Sequence, residues 1–197
     1  MSNEIPKFGD MSYWDEGYKT GEAPKEWFVP YSLISAFIEK KISKESKILV
    51  IGCGTSSLSV EMFESGYKNT ESMDYSPQAI NEMSANYPNM IWKVEDVRQM
   101  SYLDGEFDAI VDKGTLDCLF FLDETNESVL KMLSEVYRVL KPGGKYCVVT
   151  CGHPMQRVSV FTSNKSLKWS VSDWDEYEPP SGNWTHPSAY LYCLQKE

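Results

Sequence analysis

The sequence predicts an α/β fold: a doubly wound, mostly parallel sheet of seven strands, with an antiparallel pair at one edge and a helical cap at the N-terminus. Three observations predict it. Short runs of β-branched and large aliphatic residues alternate with amphipathic stretches of about 10 to 15 residues, the pattern of parallel strands joined by right-handed helical crossovers. The early runs end in a glycine turn or an acid. The last two runs have no helical pattern between them, which permits direct antiparallel pairing. The 197 residues suit one compact unit at roughly 150 residues per domain, with 1–40 as a cap packed on 41–197.

The first 40 residues carry no strand signal but contain Tyr13, Trp14, Tyr18, Trp27, Phe28 and Tyr31, which predicts a cap of helix and loop. Lys47–Ile51 is a buried strand running into Gly52-Cys53-Gly54, and Ser56 or Ser57 can cap a short helix over 58–65 that Gly66 stops. Thr70–Met73 leads to Asp74. Pro77, suited to a first helical turn, precedes Ala79, Ile80, Met83 and Ala85. Met90–Val94 ends in Glu95-Asp96, and Phe107–Val111 ends in Asp112. From Asn126 a helix follows, its apolar Val129, Leu130, Leu133, Val136, Tyr137 and Leu140 spaced by threes and fours, ended by Lys141-Pro142-Gly143-Gly144. Lys145–Cys151 is the fifth strand; Leu167–Tyr177 and Ala189–Gln195 form the edge pair.

With 19 basic against 29 acidic residues, a net charge of −10 and no basic run, the chain is unsuited to a phosphate backbone; nucleic acid is not an expected partner. A basic protein or a cationic small molecule would be attracted. The charged, Pro6-containing start is not a signal peptide, and no apolar run approaches membrane-spanning length, so a soluble, cytoplasmic protein is expected. Five cysteines without CxxC pairs read as reduced thiols, with Cys147 and Cys151 in the core and no disulfide frame or metal site. His153 and His186, each before a proline, read as loop residues with structural roles.

The glycine turn carries the chemistry. Ser57 stands where a dinucleotide fingerprint has its third glycine, which argues against a pyrophosphate. Asp74, at the end of the second strand, can accept both ribose hydroxyls of an adenosine. Asp96 closes the third strand, where it can accept from an adenine amino group while Val97 offers backbone contacts. Acids at successive strand ends face the crevice where open α/β sheets bind ligands. Trp14 and Tyr18, four apart on a helix, can present aromatic faces to a cation at one spot.

Through Ile51-Gly52-Cys53-Gly54, Asp74-Tyr75, Asp96-Val97 and Leu140-Lys141-Pro142-Gly143-Gly144 the chain resembles the class I S-adenosylmethionine-dependent methyltransferases, whose sheet is Rossmann-like. Tyr13-Trp14-Asp15-Glu16, Trp27-Phe28, Asp112-Lys113-Gly114-Thr115-Leu116-Asp117 and Trp169-Ser170-Val171 are similar to the branch of elongation factor 1-alpha lysine methyltransferase 4 and methyltransferase-like 13. The resemblance implies strand order 3-2-1-4-5-7-6. It implies cofactor contacts at Trp14, Tyr18, Trp27, Gly52, Cys53, Gly54, Asp74, Tyr75, Asp96, Val97 and Lys113, and a protein lysine as acceptor, with elongation factor 1-alpha as the partner. For that amine Asp112 is the expected base, with Asp117 or Tyr13 in reserve. Relatives usually carry an arginine where this chain has Gly17 and a glycine where it has Val29. A small-molecule methyltransferase and a catalytically silent cofactor-binding module are the alternatives, and oligomeric state is left open.

Overall fold

The structure, a computed structural model, describes residues 8–177 and 189–197, with Ser172 and Asp173 described by backbone alone. His186 and the segment between the two edge strands lie outside the described residues. Seven strands form one sheet: β1 (Ile48–Ile51), β2 (Thr70–Asp74), β3 (Ile91–Val94), β4 (Phe107–Lys113), β5 (Leu140–Thr150), β6 (Trp169–Tyr177) and β7 (Ala189–Lys196), in the order β3-β2-β1-β4-β5-β7-β6. Strands β1 to β5 pair in parallel, while β7 runs antiparallel to both β5 and β6. The helices are α1 (Met11–Thr20), α2 (Tyr31–Lys41), α3 (Leu58–Glu64), α4 (Pro77–Asn86), α5 (Thr115–Leu119), α6 (Glu127–Val139) and α7 (Pro154–Phe161).

The sheet is wound on both faces because its central strands are apolar on both sides. Ile48 and Val50 join Ala109, Val111, Cys147 and Val149 in a core with Ile34 and Phe37 of α2 and Leu58 and Met62 of α3. Leu49 and Ile51 join Ile110, Tyr146 and Val148 in the opposite core with Val129, Leu133 and Val136 of α6. Edge strand β3, with Ile91 and Val94 about half exposed, lacks this double cover. Among the described residues no helix is long and apolar enough to cross a membrane.

Several expectations need correction. The helix ending at Lys141–Gly144 instead passes straight into β5, because Leu140 already pairs with Phe107. Its start is held by Asp123, whose carboxylate accepts from Glu127 N–H (2.8 Å) and Ser128 N–H (3.0 Å); the Asn126 side chain makes no capping bond. Helices α5 and α7 carry too few apolar turns to be read from periodicity. His153, in the loop after β5 as expected, has a structural role as the N-cap of α7, its ring nitrogen accepting from Met155 N–H at 3.3 Å. Cys151 lies beyond the end of β5 and is exposed, whereas Cys147 is buried opposite Cys193 on β7.

Candidate active site

Strand order reverses between β1 and β4, and there the turns leaving neighbouring strands separate and open a crevice. A cavity with about 930 Å³ of empty space, its open mouth included, lies at the carboxyl ends of β1, β2, β3 and β4. The eleven residues expected to hold the cofactor, Trp14, Tyr18, Trp27, Gly52, Cys53, Gly54, Asp74, Tyr75, Asp96, Val97 and Lys113, all line it. Gly52, Cys53, Gly54, Asp74, Tyr75, Asp96, Val97 and Lys113 reach it from strand ends, and Trp14, Tyr18 and Trp27 from the cap.

The floor is built by glycines. Gly52 and Gly54 have φ of 56° and 50°, and a Cβ on Gly52 would fall 1.9 Å from Thr115 Oγ1. On Gly54 it would fall 2.5 Å from the Tyr18 hydroxyl. Side chains are excluded at both positions by backbone conformation and by space. Asp74 is buried; one oxygen accepts from Gly54 N–H and the other from Ser76 N–H, each at 2.9 Å. Burial pushes its carboxyl up to about 6 in spite of those bonds. Trp14 and Tyr18 of α1 stack at 5.9 Å, and Asp15 accepts a hydrogen bond from Ser76 at the start of α4.

Two residues on the cavity wall, Asp96 and Lys113, are paired with charged side chains of the chain itself. The Asp96 carboxylate is gripped by the Arg98 guanidinium, with contacts of 2.6, 2.9 and 3.1 Å, and also accepts from Arg98 N–H at 2.8 Å. Burial opposes ionisation there, but the guanidinium outweighs it and holds Asp96 below the ordinary carboxylate range. Lys113 is buried, pairs with Glu26 and donates to the Trp27 carbonyl at 2.8 Å. Burial pulls its pKa down against the pull of Glu26. Glu26 also accepts from Ser56 Oγ at 3.0 Å and Ser57 Oγ at 3.2 Å, so it ties the cap to the glycine turn and to β4.

The residues expected to act on the acceptor, Asp112, Asp117 and Tyr13, are not among those that line the cavity. Asp112 is fully buried, outside the cavity lining. Its oxygens accept from Thr115 N–H (2.8 Å), Leu116 N–H (3.2 Å) and the Tyr146 hydroxyl (2.8 Å), so it caps α5 and fastens it to β5. Burial pushes it up to about 7. Asp117 is buried too, taken by Arg157 at 2.7 Å and Thr150 Oγ1 at 2.7 Å. Tyr13 is exposed, with its ring against Phe8 and Trp14 at the cavity rim. Asp112, a strand-end acid followed by a tight turn, takes the turn's N–H groups, while Asp117, inside α5, takes the side chains of Arg157 and Thr150.

A family model described as a methyltransferase domain matches residues 42–189. The chain belongs to the methyltransferase-domain family. This methyltransferase is 34% identical to mouse EEF1A lysine methyltransferase 4 over 185 residues, covering 85% of this chain and 72% of that protein. It is 35% identical to the human eEF1A lysine and N-terminal methyltransferase over 159 residues, 75% of this chain but only 23% of that longer protein. Its fold matches a SAM-dependent methyltransferase of Methanosarcina mazei with a TM-score of 0.63 at 20% identity, covering 81% of this chain and 96% of that one. Phe8, Glu26, Thr115, Cys118 and Leu119 also shape or brace the site of this methyltransferase, although a lone Glu or Phe outside a motif carries no spacing signal.

Proposed function

We propose that the chain transfers a methyl group from S-adenosylmethionine to a lysine side chain of a protein. The observation that carries this reading is the cavity at the reversal of strand order, with every residue expected to hold the cofactor on its wall. The chain's identity of 34% and 35% to proteins named for eEF1A lysine methylation supports the acceptor class and makes elongation factor 1-alpha the substrate to try first. Such a substrate places the reaction in the cytoplasm.

The residues present fit the cofactor. A carboxylate offers about four acceptor positions, and the two backbone bonds on Asp74 leave it able to accept from vicinal ribose hydroxyls. The two glycines leave the floor open where a Cβ would fill it. When bound, the cofactor supplies a methyl group on a sulfonium, open to in-line displacement. The chain positions the two partners and excludes water, and the stacked Trp14 and Tyr18 offer aromatic faces to positive charge.

The amine must be neutral at the moment of transfer, yet with a pKa near 10.4 only about one lysine in 2,500 is neutral at pH 7. Asp112 and Asp117 are buried within the fold and off the cavity wall, so neither takes that proton. The proton leaves to solvent before transfer.

Incubating the chain with methyl-labelled S-adenosylmethionine and purified elongation factor 1-alpha should label lysine in that factor. In calorimetry Asp74→Ala should lower affinity for the cofactor at least about tenfold, the value of one lost charge-assisted hydrogen bond. Label confined to small molecules, or no turnover at all, would overturn the acceptor reading; unchanged affinity in Asp74→Ala would overturn the cofactor reading.

A further inference from the structure

The ring of Phe8 stands among four other aromatic rings. Its centroid lies 5.4 Å from Trp27, 5.4 Å from Phe121, 5.5 Å from Tyr13 and 6.1 Å from Trp14. The four come from three separate segments: helix α1, the loop before α2 and the turn after α5. This is no core cluster, since Tyr13 is 38% and Phe121 58% exposed. Phe8, Trp14 and Trp27 also line the cavity described above, so the cluster sits where that cavity meets the surface. The Phe8 segment is clipped in place: Trp14 Nε1 donates to the Phe8 carbonyl at 2.7 Å, and Gly9 lies so close to Leu122 that a Cβ would fall 2.8 Å from its Cα.

Several aromatic rings whose faces surround one point attract a cation held within about 6 Å of their centroids. A positive charge at the centre of the Phe8 ring would lie 5.4–5.5 Å from the centroids of Trp27, Phe121 and Tyr13 and 6.1 Å from that of Trp14. The ring that fills the place now is neutral and packs against three of its neighbours in T-shaped contacts. A lysine side chain has the complementary form, a slim apolar stem ending in a charge.

We propose that Tyr13, Trp14, Trp27 and Phe121 form a cage for the alkylammonium side chain of the acceptor, and that Phe8 fills this cage until the acceptor displaces it. The proposal rests on the lysine-methylation reading and deepens it: Phe8 acts as an internal stand-in for substrate, and the four rings select a cationic side chain over a neutral one of the same shape. Affinity for acceptor is therefore reduced by the occupancy of Phe8, and removing the ring raises it.

The test uses the full chain without cofactor, with choline as the cationic probe and 3,3-dimethylbutan-1-ol as its neutral isostere, followed through the indole N–H resonances of the tryptophans. Phe8→Ala should bind choline about tenfold more tightly than the unaltered chain, and prefer it to the isostere by about the same factor, as expected of several cation–π contacts. Equal binding of the two probes would overturn the cage. Weaker choline binding in Phe8→Ala would make Phe8 part of the wall and overturn the plug. Phe121→Ala changes an exposed position that folding does not depend on, and serves if Phe8→Ala does not fold. It should weaken choline binding about threefold with no change for the isostere; unchanged choline affinity would overturn the proposal. Because neither cofactor nor acceptor is present, an inactive chain that still prefers choline would count against lysine methylation alone, and an active chain without that preference against the cage alone.

Discussion

At the scale of single residues, Asp112 shows how burial decides what a carboxyl does. Its folded pKa of about 7 lies above the ordinary value near 3.9. Between about pH 4 and pH 7 the unfolded chain has released this proton while the folded chain keeps it. Stability from this group is therefore complete below about pH 4 and is lost as pH rises through about 7, by up to about 4 kcal/mol at 1.36 kcal/mol per pH unit. Asp112→Asn keeps an acceptor for the α5 turn and cannot titrate, so urea unfolding at pH 5 and pH 7.5 should show a smaller loss of stability in the variant; equal losses would exclude the assignment. Asp74 titrates in a site that would use its charged form. With its pKa raised to about 6 by burial, affinity for the cofactor should fall as pH drops below about 6, with proton release on binding in that range. Calorimetry in two buffers of different ionisation enthalpy reads both.

At the scale of elements, the cap is fastened to the sheet by one ion pair whose two ends are not equivalent. The Lys113 side chain is 3% exposed and that of Glu26 29%. Glu26→Ala leaves a buried ammonium without its charged partner and should destabilise the chain by roughly 3 kcal/mol, the cost of a broken buried pair. Lys113→Met removes the buried charge with little loss of volume and should cost clearly less. Denaturant melts of the two variants compare them, and hydrogen exchange over 22–30 should rise in Glu26→Ala first. The turn after β1 makes a second prediction. Gly52→Ala forces a Cβ into the left-handed region and against Thr115; the conformational cost alone is about 1–2 kcal/mol. A thermal midpoint equal to that of the unaltered chain would contradict the fit of that turn.

At the scale of the whole molecule, the net charge of −10 is an attractive field for a basic protein and a weak one for a neutral small molecule. Raising salt from about 50 to about 500 mM shortens the screening length severalfold and should slow capture of a protein acceptor, while transfer to a neutral small acceptor changes little. Stopped-flow association at the two salt concentrations measures this; salt-independent capture would remove long-range steering from the account.

Strand order was legible through the family's motifs, whereas the strands themselves and the strand-end residues on the cavity wall follow from local rules. Apolar runs such as Lys47–Ile51 become buried strands, crossovers have one hand, and Gly52, Gly54, Asp74 and Asp96 sit where strands end, whatever else packs around them. Asp96 meets Arg98 only two residues on, but the roles of Asp112 and Asp117 were decided by tertiary structure, because a carboxylate binds whichever donor the fold brings nearest: Tyr146 beside the local α5 turn for the first, Arg157 and Thr150 for the second. The same holds for Glu26, which meets Lys113 across 87 residues of sequence, and for Phe8, whose four aromatic neighbours gather only once the cap closes on the sheet. Periodicity determines which face of an element is buried; which polar groups meet across that burial depends on contacts far apart in the chain, and these form only when the whole fold is in place.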